Sequence, residues 1–255
     1  MTANPTTEDL LTIVRNSPAA VAAHDKRAWL GLFARHHVVE DPVGGRPVLG
    51  GLFDARSGRR GDAPLSRFYD TFIAPNDIHF HLEAEDIVQG LHVVRDVTIE
   101  TRMGGVTARA PMHLRYELTL DEGEPRIRRL AAHWEVAPMF AQVGGISPAK
   151  LRVGATMGAR MLRLQGVGGS LAFGRAVRSV GEPGKRAVRE LVASAQRGDG
   201  AALELLGGTP VQDLRKLIAA GDTVTATGTV DGAHAVLFAC LDRRTLKVIS
   251  ADVYR

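Results

Sequence analysis

Residues 112–120 read Met-His-Leu-Arg-Tyr-Glu-Leu-Thr-Leu, MHLRYELTL. Apolar and polar side chains alternate here, so Met112, Leu114, Tyr116 and Leu118 share one face and His113, Arg115 and Glu117 the other. A one-residue slip would send the polar set into a core, so the pattern fixes which face is buried. The same period runs through neighbouring segments. Ile78, Phe80 and Leu82 alternate with His79, His81 and Glu83. Leu91, Val93, Val97 and Ile99 alternate with His92, Val94, Asp96 and Thr98. Leu130, Ala132, Trp134 and Val136 lie opposite Ala131, His133 and Glu135. Gly90, Gly104-Gly105 and Asp121-Glu122-Gly123 supply hairpin turns between these runs.

Upstream the period is helical. Leu10, Leu11 and Val14, then Val21, Trp29, Leu32 and Phe33, recur at steps of three and four, interrupted by Ser17-Pro18, where a kink or restart is expected. A third helix is expected around Leu65, Phe68, Tyr69, Phe72 and Ile73, with Asp62 and Ser66 as caps. Three helices followed by an antiparallel sheet with one apolar face predict an α+β fold in which the sheet curls over the helices. The chain of 255 residues is long enough for one large domain or two small ones. The reading divides it into residues 1–145, a Gly- and Arg-rich helical connector 146–183, and residues 184–255. The last part repeats the first in shortened form: Asp25, Ala28 and Leu32 recur in spacing as Asp199, Ala202 and Leu206. It continues with helix-like PVQDLRKLIAA (210–220) and strands around 223–230, 233–241 and 246–254.

Hydrophobic residues make up 45% and charged residues 24%, as in a soluble globular protein. No apolar run approaches the ~20 residues of a membrane span. The start, MTANPTTEDL, lacks the features of a signal peptide, and one cysteine, Cys240, excludes an intrachain disulfide. Both point to the cytoplasm. Basic residues cluster between Lys150 and Arg189 against one acid, Glu182, with one aromatic, Phe173. That stripe suits an interdomain face or weak membrane-surface association, and its lack of aromatics argues against nucleic acid. His36-His37 and the His79/His81 pair have no third ligand in a compelling position, so no metal and no cofactor are expected.

A short strand is expected from His37 to Asp41, and residues 38–44, VVEDPVG, end it on Asp41-Pro42. Asp41 either opens a turn or serves as a positioned base. Residues 44–63, rich in glycine and arginine, form a long loop suited to a lid. AHDKRAWLGLFARHHVVEDPVGGRP, the later FYDTF and RLAAHWEV resemble the Δ5-3-ketosteroid isomerases, which belong to the nuclear transport factor 2-like, or SnoaL-like, superfamily. The resemblance covers roughly residues 8–140. It implies a conical pocket, and the shortened repeat in residues 184–255 is then read as a degenerate copy of the same fold. It also implies a proton moved beside a ketone of a steroid-like or polycyclic substrate, with Asp41 as general acid/base and Trp134 lining the pocket. In that family an enolate oxygen is held by a tyrosine and a protonated aspartate. Here those places fall on Ser17 and, by alternation, Met112, so the usual donors are missing. Tyr116 and Arg95 are the candidate replacements; Arg95 interrupts the apolar face of Leu91, Val93, Val97 and Ile99, where it either enters the pocket or is turned outward by a strand bulge. Ser17, Trp29, Phe33, Phe68, Phe72, Met112, Leu114 and Trp134 are the expected pocket wall. The alternative is a binding protein for a hydrophobic small molecule that has lost the chemistry. A homodimer or an intrachain pseudo-dimer is expected to use the sheet's outer face.

Overall fold

The computed structural model describes residues 5–50, 63–144, 146–175 and 177–255. It is a mixed α+β molecule built on two sheets. Helix α1 (Thr7–Ala22) starts at Thr6, whose hydroxyl accepts from the backbone N–H of Asp9 while the Asp9 carboxylate accepts from Thr6, a reciprocal cap. The expected break at Ser17-Pro18 does not occur: α1 runs through Pro18, and Ser17 is buried rather than capping. The interruption falls at His24 (φ 52°), and Asp25 caps α2 (Lys26–Gly31) by accepting from Ala28 N–H at 2.8 Å. Strand β1 (Phe33–Glu40) begins earlier than expected and pairs with β2 (Val48–Gly50). Helix α3 (Ala63–Phe68) passes into a π-helical turn, Tyr69–Ile73. The expected Asp62 cap and most of the expected lid, 51–62, lie outside the described residues.

Strands β3 (Asp77–Leu82), β4 (Ile87–Gln89), β5 (His92–Met103), β6 (Val106–Asp121) and β7 (Glu124–His133) complete the first sheet, in the order β2-β1-β7-β6-β5-β3 with β4 also on β5. This sheet is open, with β2 and β3 at its edges. It is also not purely antiparallel as expected, because β1 lies parallel to β7. Hairpin alternation reveals neighbours along the chain, whereas the pairing of β1 with a strand 90 residues away leaves no local trace. The chain then forms α4 (Val136–Val143), where a strand end was expected, and α5 (Pro148–Arg175), which breaks at Gly166 (φ 69°).

The second unit contains α6 (Gly181–Gln196), α7 (Gly200–Leu205) and a four-stranded antiparallel sheet, β11-β10-β9-β8. These strands are β8 (Gln212–Ala220), β9 (Thr223–Val230), β10 (Ala233–Leu241) and β11 (Val248–Tyr254). The segment read as helix-like, 210–220, is therefore a strand. Its register shifts twice against β9, with Asp213 and Lys216 at φ 49° and 48°. Each extra residue breaks the two-residue period, so Val211, Leu214, Leu217 and Ile218 mimic a helical spacing. Asp199 caps α7 as Asp25 caps α2, accepting from Ala202 N–H at 2.9 Å.

The outer face of the first sheet packs on the second sheet. Ile87, Val94, Val236, Phe238 and Tyr254 form one apolar cluster across the junction. His113 is fully buried there, with Nδ1 2.7 Å from Thr225 Oγ1 and Nε2 3.0 Å from Thr227 Oγ1. Thr227 donates its proton to Asp96 Oδ2 at 2.6 Å, so it accepts from His113 Nε2–H, and the Thr225 hydroxyl donates to Nδ1. Burial keeps His113 neutral, below the usual histidine range, as that tautomer requires. Lys216 donates to Asp96 and to the Val97 carbonyl. Burial alone would raise the Asp96 pKa, but His113, Lys216 and Thr227 together hold it well below the carboxylate range. The polar face of MHLRYELTL is thus covered by the chain itself.

Candidate functional site

The apolar face of the first sheet, α1, α2 and the α3 segment enclose a cavity of about 130 Å³. Met112, Leu114 and Tyr116 come from β6, and Leu130 and Ala132 from β7. Trp134 follows β7, and Trp29, Phe68 and Phe72 come from the helices. Ser17 and Asp41 also line it. Phe33, expected in the wall, does not: it packs behind Trp29, ring centroids 4.8 Å apart. Strand β1 turns Phe33 beneath the indole rather than toward the space.

Asp41 sits one residue beyond β1, at a cis Asp41-Pro42 peptide. The Trp134 indole Nε1–H donates to Asp41 Oδ1 at 2.7 Å. Glu40, pointing the other way, pairs with Arg129 of β7. Burial pushes the Asp41 carboxyl up to about 6, against the opposing pull of the Trp134 hydrogen bond. The carboxyl also borders a second, outer space of about 290 Å³ lined by Pro42, Arg46, Pro47, Pro64 and Arg67. Asp41 therefore stands between an apolar chamber and a more polar vestibule.

The backbone after Asp41 is fixed from two sides. Val43 N–H donates to the Ala132 carbonyl at 2.9 Å, tying the turn to β7, which ends just before Trp134. Gly44 abuts Gly221, in the turn between β8 and β9. On the Trp134 side, Lys185 of α6 holds Glu135 at 2.9 Å.

Opposite the helices, Tyr116 is buried and its phenol is held above the usual range by desolvation, so it stays a proton donor at neutral pH. Ser17 and Arg95 interact with that phenol. Ser17 Oγ in turn accepts from Trp29 Nε1–H at 3.2 Å. Arg95 lies on the inner face, opposite Leu114 in an unbroken β5–β6 register, so no bulge turns it outward. It does not line the cavity. Its Nε donates to Asp86 at 2.8 Å, and both side chains are almost fully buried. Arg95 stands behind Tyr116 as a buried, charge-paired support.

Sequence reasoning missed the far end of the chamber, formed by Met103, Met139, Val143 and Met157 together with Thr101 and Asn76. Met139 and Val143 belong to α4 and Met157 to α5, regions read as strand end and connector. A methionine in each of β5, β6, α4 and α5 was the available signal, since flexible thioethers suit an adaptable apolar wall. Among the described residues, no three His, Cys, Asp or Glu side chains gather as a metal site, and no helix is long and apolar enough to cross a membrane.

No family model and no curated protein matches the chain. Among solved structures it is similar to a Δ5-3-ketosteroid isomerase from Mycobacterium sp. (29% identity, TM-score 0.42), over 51% of this chain and 96% of that one. It is similar to a computationally designed 17-OHP binder (21% identity, TM-score 0.41), over 51% of this chain and 95% of that one. An LEH-like epoxide hydrolase from M. tuberculosis is similar at 18% identity and TM-score 0.41, over 61% of this chain and 98% of that one.

Proposed function

We propose that this chain is an isomerase that moves a proton next to a ketone on a steroid-like or polycyclic hydrophobic substrate, with Asp41 as general acid/base. The observation that carries the reading is a carboxyl on the wall of an apolar chamber, raised to about 6 and aimed by Trp134 at 2.7 Å. A base near pKa 6 is ionised at neutral pH yet basic enough to take a proton from carbon and return it to another carbon. The Asp41 carboxylate removes a proton beside the ketone, and the C–H electron pair flows into a dienolate. The same carboxyl then delivers that proton to the far end of the conjugated system. Tyr116, protonated and supported by Ser17 and Arg95, is the group we assign to hold the enolate oxygen. The step needs no electron carrier.

In this reading residues 1–145 form a conical chamber, 146–183 connect, and 184–255 are a reduced copy that covers the sheet as a pseudo-dimer partner. The paired helix caps at Asp25 and Asp199 support the duplication. The second reading, a binding protein without turnover, is favoured by one observation: Ser17, at the family's donor position, is engaged with both Trp29 and the Tyr116 phenol.

The test follows conjugated-enone absorbance as the purified chain meets a β,γ-unsaturated 3-ketosteroid. Turnover that collapses in Asp41→Asn supports the isomerase. Saturable steroid binding without turnover replaces it with the second reading, and neither binding nor turnover removes both.

A further inference from the structure

Helix α5 has one packed face and one bare one. Val153 and Met157 pack against Met103, Val106, Ala108 and Val143. On the other side Leu151, Ala155, Ala159 and Leu162, at steps of four, four and three, form an exposed apolar stripe. Leu151 and Leu162 are 59% and 55% exposed, and Ile146, just before the helix, is 95% exposed. Arg152 and Arg163 are exposed along one flank of that stripe. From Ser147 to Arg175 the sequence holds five basic residues, Lys150, Arg152, Arg160, Arg163 and Arg175, and no acid. Some exposed arginines elsewhere meet carboxylates, as Arg35 meets Glu122 and Arg128 meets Glu117; among the described residues Arg152 and Arg163 meet none.

We propose that this face of α5 seats on an anionic membrane surface, leucines among the acyl chains and arginines among the lipid phosphates. A narrow apolar stripe beside uncompensated cations is the arrangement that lies in the plane of a bilayer interface. A second copy of the chain fits less well. Two such stripes bury far less than the roughly 800 Å² per partner of a stable interface, and their contact would bring arginines toward arginines. This inference is independent of the chemistry assigned to Asp41.

The experiment is sedimentation of the full chain with vesicles of phosphatidylcholine alone or mixed equally with phosphatidylglycerol. Expected is binding to the anionic vesicles only, weakened by added salt. Arg152→Gln with Arg163→Gln should weaken it about 25-fold, roughly fivefold per arginine, and Leu151→Asp with Leu162→Asp should abolish it. The proposal is overturned if the native chain ignores anionic vesicles, if it binds neutral ones equally, or if both variants bind like the parent. An apparent mass in gel filtration that falls to that of one chain only in the leucine variant would also overturn it, assigning the stripe to self-association.

Discussion

Gly44 and Gly221 touch backbone to backbone, although 177 positions apart: a Cβ added to Gly44 would lie 2.5 Å from Gly221 Cα, and one added to Gly221 would lie 2.7 Å from Gly44 Cα. Both have positive φ, 91° and 61°, a region that disfavours other residues. The turn that follows Asp41 thus rests on the hairpin of the second sheet. Gly221→Ala should lose about 1–3 kcal/mol by urea unfolding. It should also lower turnover in the enone assay, since the clash pushes on the backbone three residues from the carboxyl. A variant as stable as the parent would show that the contact gives way easily.

Asp41 should leave an opposite mark on stability from most acids. Its pKa is raised from 3.8 to about 6, so the folded chain holds the proton more tightly than the unfolded one. Stability from the protonated form is complete below pH 3.8 and is lost as pH rises through about 6. Asp41→Asn keeps the neutral form at every pH. It should therefore match the parent near pH 3.5 and exceed it by about 3 kcal/mol at pH 8, while turnover in the parent rises with pH and is half-maximal near 6. Urea midpoints that differ equally at the two pH values would contradict the burial of this charge.

Tyr116→Phe removes one hydroxyl and preserves the ring. If the phenol holds the enolate oxygen, kcat should fall by about 10²- to 10³-fold with KM nearly unchanged, and the pH midpoint set by Asp41 should stay. A change confined to KM would place the hydroxyl in ground-state binding.

Lys216→Met should destabilise the chain by about 3–5 kcal/mol, because Asp96 is left charged and buried between the sheets. Asp96→Asn in the same background should recover much of the loss, which a double-mutant cycle at pH 7 measures. Simple additivity of the two changes would mean that the ion pair contributes little.

Period-two alternation made β3, β5, β6 and β7 legible, and with them the inward set Met112, Leu114, Tyr116 and Trp134. It also placed His113 outward, where the second sheet now buries it. What alternation could not carry was anything set by distant pairing or by irregular backbone. The parallel neighbour of β1, the short β4 and the two bulges of β8 all fall in that class. Arg95 was visible as an anomaly on an apolar face, but its explanation, Asp86 in the loop before β4, lies nine residues upstream with no periodic signal. The far wall of the chamber was hidden because α4 and α5 were read as ends and connectors.

The sheet-on-sheet junction changes what dilution can do. Where two separate subunits cover each other's sheets, the fraction covered falls with concentration. Here Val94, His113 and Phe238 belong to one polypeptide, so the pairing is intramolecular and its effective concentration is set by chain connectivity. Closure of the junction is then first order, and its melting temperature carries no contribution from protein concentration.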